Sequence, residues 1–247
     1  MAGFKVHFAT AAVTGGIVAT SLLSAAIINP STMLLCFAAV ILGGVLPDID
    51  SDKSTVLSIS FTILSLVLSF FIMFAQVEFL SILELCLLWF GVFLFFKLVV
   101  FGLFTMFTVH RGIFHSIPAA FLSWFGTTVF LHPLYNLDNR TVWIVGAFVF
   151  LGFIIHLLLD ELTSLNLFGF GGVRQSFGSA LKLYSPSLPA TAILYLATAG
   201  LYMLTPESDG LFLQIADPNT WEKISQNFFP TGSWFAVKFG LWRWWTF

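Results

Sequence analysis

The stretch Val142–Leu162, "VWIVGAFVFLGFIIHLLLDEL", decides how the rest of the chain is read. No charged side chain stands between Val142 and Ile155, and a membrane-crossing helix needs about 20 predominantly apolar residues. The run then closes on His156 and Asp160. Four residues apart, they share one helix face, one turn from each other. Desolvating an imidazole and a carboxylate at the end of an apolar helix is costly unless they have partners or a task. The whole 247-residue chain has the same character: 58% hydrophobic, 9% charged, mean hydropathy +0.97. A soluble domain carries about 25% charged residues. This composition cannot cover a water-facing surface and predicts an integral membrane protein. A net charge of −2 argues against nucleic acid as a partner. Cys36 and Cys86 each sit alone in an apolar run and read as packing residues.

Working outward from that span, the apolar runs predict an all-α, polytopic membrane helix bundle with about seven spans. They are Ala9–Ile28, Met33–Leu46, Val56–Ala75, about Leu87–Phe107, about Ile113–Leu131, Val142–Leu162 and Leu188–Leu204. Residues 1–204 form one membrane-embedded domain. Residues 205–247, ending in "LWRWWTF", are expected to be an interfacial aromatic tail of that domain. Gly15-Gly16 and Gly43-Gly44 suit close helix packing. Alternation of span direction places His7, Asp48, Asp50, Asp52, His110, Arg111, His115, His156 and Asp160 on one membrane face. His132 and Asp138 fall on the other. Lys5, Lys53, Arg111, Arg174 and Lys182 then share the face of the cluster, so the positive-inside rule turns it to the cytoplasm.

The clustered residue types point to metal chemistry. Mixed imidazole and carboxylate donors suit a divalent ion, Zn or Mn first, and so many candidates fit one or two ions. His7, Asp48, Asp50, His110, His115, His156 and Asp160 are the candidate ligands. Arg111, between His110 and Gly112, offers a planar fork for phosphate or carboxylate oxygens. Arg111, Asp50 and His110 are the residues expected to serve the reaction directly. Asp52 reads as a turn residue or helix cap, and Lys53 as a topology marker. Lys97, inside the fourth span, is a candidate by position alone. "FGFGG" lacks the context of a nucleotide loop.

Taken in order, "LPDIDSDKS" (46–54), "HRGIFHS" (110–116) and "HLLLDELT" (156–163) resemble the signature blocks of the YdjM-type family of small bacterial and archaeal inner-membrane proteins, described as metal-dependent hydrolases. His7 matches that family's early histidine. Leu46, Pro47, Asp48, Asp50 and Ser54 match the second block; His110, Arg111, Gly112, His115 and Ser116 the third; and His156, Asp160 and Thr163 the last. Phe114 stands where the pattern has threonine, which removes a hydroxyl beside His115. The resemblance covers about residues 1–170 and implies a metal site in a prokaryotic inner membrane. Lipid phosphatases with an H-x-x-x-D block and the CDP-alcohol phosphotransferases do not fit, since their further motifs are absent.

The function expected from these features is a metal-dependent hydrolase whose site faces the cytoplasm. Its substrate would be a membrane-soluble ester, first a phospholipid or another phosphate-bearing lipid. Membrane lipid is thus both environment and candidate substrate, and the sequence does not fix an oligomeric state. The competing expectations are a divalent-ion carrier or sensor, and a non-catalytic protein with a structural metal. A carrier needs polar groups deep in several spans, and Lys97 is nearly the only one.

Overall fold

The computed structural model describes residues 3–47, 54–74, 76, 80, 82–102, 115–164, 181–184 and 187–228. Within them the regular structure is helical: α1 (Phe4–Ser24), α2 (Pro30–Val45), α3 (Ser54–Phe74), α4 (Ile82–Leu94), α5 (Ile117–Tyr135), α6 (Asn139–Ser164), α7 (Leu188–Leu204), α8 (Leu211–Ala216) and α9 (Pro218–Phe228). A π-helical turn, Phe95–Val100, prolongs α4.

Helix starts are written into the sequence by one recurring device. A side-chain oxygen caps the first turn and a proline follows within it, where the missing N–H has no helical partner anyway. Asn29 accepts from the Thr32 N–H at 2.8 Å before Pro30. Ser116 and Ser187 accept at 3.4 Å from the N–H groups of Ala119 and Ala190, ahead of Pro118 and Pro189. Asp138 caps α6 through the Thr141 N–H at 2.9 Å. Between α5 and α6, Asn136 adopts the left-handed conformation (φ 46°) that ends α5.

The expected count of about seven spans is corrected here. Among the described residues, four helices are long and apolar enough to cross a membrane: Phe4–Ser24, Ile82–Val100, Ile117–Tyr135 and Asn139–Thr163. Pro30–Val45, Leu64–Phe74 and Leu188–Leu204 are apolar but short. For Pro30–Val45 and Leu188–Leu204 the reason is physical length. With 16 residues, α2 is about 24 Å long at 1.5 Å per residue, against a hydrocarbon core of about 30 Å. An apolar run registers as a span in the sequence whether or not its helix is long enough to be one.

α6 is the central helix. One side packs on α2 and α1 in a core that includes Cys36, Val40, Val142, Val145 and Val149. Another side packs on α5 and α7 through Phe153, Leu157, Ala119, Ala120 and Leu194. Contact between α2 and α6 is backbone to backbone. A Cβ on Gly43 would stand 2.0 Å from the Val149 carbonyl oxygen, and one on Gly152 would stand 2.0 Å from that of Val40. Only glycine allows this approach. α3 and α4 form a hairpin, joined by the Phe61 and Phe101 rings (centroids 5.1 Å apart) and by the Lys97 ammonium donating to the Thr62 hydroxyl. The Tyr135 hydroxyl, donating to the Phe71 carbonyl, ties α3 to the end of α5. At that same end α8 lies over the start of α6, where Trp143 Nε1 donates to the Pro206 carbonyl at 2.9 Å and Arg140 donates to Gln214, while α9 packs on the end of α1, Asn227 Nδ2 donating to the Ser24 carbonyl at 3.1 Å.

Candidate metal centre

The other end of the bundle holds the polar cluster. On α1, His7 begins a stripe of buried residues, His7, Ala11, Gly15 and Ala19, repeating every four positions. The small side chains let α1 lie close to α2, and the same face carries the imidazole of His7 inward, to 1% exposure. On α6, the (i, i+4) pair His156 and Asp160 is buried at 0% and 5%. His115 comes from the residue before the α5 cap. Its backbone is held where Ser116 pairs with Lys182 in a parallel bridge and the Ile117 N–H donates to the Lys182 carbonyl at 3.1 Å.

Asp160 is the meeting point. His7 Nε2 lies 3.3 Å from its Oδ1, and His156 Nε2 and His115 Nε2 lie 3.7 and 3.8 Å from its Oδ2. The His7 and His156 rings stack at 3.7 Å, 12° from parallel, while the His115 ring stands edge-on to His156 at 5.6 Å. One donor atom each from His7, His156 and Asp160 falls within 4.8 Å of the other two. Three imidazoles around one buried carboxylate are an arrangement that an apolar core does not make for packing.

Two observations test whether the set suits a cation. Both ring nitrogens of His7 are buried without a hydrogen-bond partner among the described residues, an arrangement that costs about 1–3 kcal/mol for an unsatisfied polar group. And ligand atoms about 2.0–2.1 Å from a tetrahedral centre stand about 3.3 Å from one another, close to the separations found around Asp160. Three nitrogens and a carboxylate oxygen are a donor set that divalent ions of the zinc and manganese kind accept. The residues fit such an ion.

His7, His115, His156 and Asp160 are therefore brought together. Asp48, Asp50, His110 and Arg111 lie outside the described residues, as do Asp52, Lys53, Arg174 and the "FGFGG" stretch. His132, in the last turn of α5, and Asp138, the cap of α6, stand at the opposite end of the bundle. Lys97 sits on the α3–α4 hairpin. For His7, His115, His156 and Asp160 direct geometry replaces span parity, which loses its footing with the span count. Sequence reasoning passed over Glu161, which is 9% exposed beside Asp160. It also passed over the carbonyl of Gly44, 2.8 Å from His156 Nδ1. A second carboxylate next to Asp160 was a readable signal; a backbone carbonyl was not.

The model of the YdjM inner membrane protein family matches residues 1–186. The chain belongs to that family. No curated protein and no solved structure matches it. All four converging residues lie within the matched region, and α7, α8 and α9 lie beyond it. Membership in the YdjM family and the four spanning helices make this an inner-membrane, multi-pass protein with a buried His/Asp cluster able to hold a metal ion.

Proposed function

We propose that the protein is a membrane-embedded, metal-dependent hydrolase. Its substrate is a membrane-soluble ester, first a phospholipid or other phosphate-bearing lipid, and its site faces the cytoplasm. The observation that carries the reading is the convergence of His7, His115 and His156 on Asp160, from three segments far apart in sequence. These four residues hold a divalent ion, zinc or manganese. Asp48, Asp50 and His110, from the neighbouring family blocks, complete the ligand set for one ion or two. When bound, such an ion acidifies water and polarises a phosphoryl or carbonyl oxygen. The chain's own groups do the rest. Asp160 as a carboxylate and the imidazoles as neutral rings present one lone pair each, Asp50 and His110 move the proton of the attacking water, and Arg111 neutralises the charge that develops on the ester oxygens. Lipid is favoured as substrate because the cluster lies within the ends of membrane helices. The cytoplasmic orientation is supported by Lys5, at the cluster end of α1, against Arg140 at the opposite end.

The test is elemental analysis of the purified protein, followed by a panel of phospholipids and neutral lipid esters. One or two ions per chain in the wild type, fewer in His156→Ala, and turnover lost in Asp160→Ala and His115→Ala are expected. Full turnover in either alanine variant, or a wild type that takes up no divalent ion, overturns the reading.

A further inference from the structure

We infer that the carbonyl of Gly44 is a positioning group for the metal centre, resting on the metal reading above: it fixes His156 as the Nδ1–H tautomer and so turns Nε2 toward Asp160. His156 Nδ1 lies 2.8 Å from the Gly44 oxygen, and the imidazole is wholly buried. A carbonyl only accepts, so Nδ1 must be the protonated nitrogen. Nε2 then carries the lone pair, and it is the atom that lies 3.7 Å from Asp160 Oδ2. A hydrogen bond at one ring nitrogen decides which lone pair an ion meets and holds the ring plane.

Gly44 can do this because no side chain stands in the way. A Cβ there would sit 2.7 Å from the Ala11 Cβ and 3.7 Å from the Gly152 oxygen. Its carbonyl therefore enters a seam where α1, α2 and α6 meet with almost nothing between their backbones. Ala11 is one turn from His7 on α1, and Gly152 is one turn from His156 on α6. The seam thus sets the spacing of two imidazoles at once, and their stacked rings, 3.7 Å apart, are its readout. The helix contact and the donor geometry are one structure. A substitution in the seam moves the site although it removes none of the proposed ligands.

The experiment uses full-length protein labelled with nitrogen-15 at histidine, free of metal, with the His156 signals assigned by their loss in His156→Gln. His156 is expected to show a protonated Nδ1 and an unprotonated Nε2. In Gly44→Ala that pattern should blur toward a tautomer mixture, with zinc affinity about 10–100-fold weaker. Because the new methyl presses on Ala11, the double variant Ala11→Gly/Gly44→Ala is the control, and both tautomer and affinity should return toward wild type. A wild-type His156 protonated on Nε2, or an unchanged affinity in Gly44→Ala despite a lost Nδ1 pattern, overturns the inference. A wild type that binds no ion but shows the Nδ1–H form would sink the metal reading and leave the tautomer assignment standing.

Discussion

Replacing Gly152 by alanine tests the backbone contact on which the bundle and its cluster depend. The new methyl would stand 2.0 Å from the Val40 carbonyl oxygen and 2.7 Å from the Gly44 nitrogen. Both obstacles are backbone, so no side-chain rotation relieves them. The helices must widen from 2.0 Å to the 3.4 Å of ordinary contact, by about 1.4 Å, in a core packed as densely as a crystal. Overpacking costs about 1–3 kcal/mol, and a rigid obstacle puts this case at the upper end. On the usual scaling for a chain of this size that is a fall in melting temperature of about 6–12 °C. The counterpart is Gly91→Ala on α4, where an added Cβ meets nothing within 4 Å. There alanine gains up to about 1 kcal/mol of helix propensity and should leave the melt unchanged or raise it. Thermal unfolding of both variants in one detergent, free of metal, is the assay. Because His156 lies one turn beyond Gly152, zinc affinity should fall in Gly152→Ala and hold in Gly91→Ala. Equal melting temperatures for the two variants would refute the reasoning.

Removing the metal should destabilise the protein: an ion at 100 times its dissociation constant stabilises the fold by about 2.7 kcal/mol, so a chelator should lower the wild-type melt and leave His7→Ala unmoved. Tyr135→Phe deletes the hydroxyl that reaches the Phe71 carbonyl but keeps the ring against Phe71, with centroids 5.8 Å apart; it should cost about 1 kcal/mol in the melt with metal content unchanged. Cys36 is wholly buried and Cys86 exposed, so an apolar maleimide should label the folded protein at Cys86 alone, as mass spectrometry of the digested chain would report.

How much of this was legible in the sequence differs from helix to helix. The body of α6 could be read outright, because its apolar run and the four-residue spacing of His156 and Asp160 are local signals, while its cap, Asp138, was read only as a loop residue of the other face. α2 was misread as a span because apolarity reports burial, and a helix can be buried by protein as well as by lipid; Cys36 and Val40 are buried against neighbouring helices. His7 has no local signal at all. It lies at the start of α1 between Val6 and Phe8, and only the alternation of span direction and the ordered resemblance to a family tied it to residues more than a hundred positions on. The role of Gly44 was hidden for a different reason. Gly43-Gly44 reads as a packing device, and what the packing delivers is a carbonyl, which every residue has. Lys97 shows the limit from the other side: its position was plain, but its partner, Thr62, depends on how α3 and α4 face each other.

The convergence of His7 on Asp160 also has a consequence for how the protein is made. Residue 7 leaves the ribosome long before residue 160, by about 8–30 s at typical elongation rates of about 5–20 residues per second. During that interval α1 is already available to the insertion machinery, carrying an imidazole destined for the interior and nothing yet to receive it. The segment leading into α5 supplies His115 next, and α6 brings His156 and Asp160 last. The centre is therefore completed only when α6 arrives, while α7, α8 and α9 are still to follow. The full set of four groups exists only after α6 has docked, and slow docking of α6 would leave α1 as the segment most exposed to quality control.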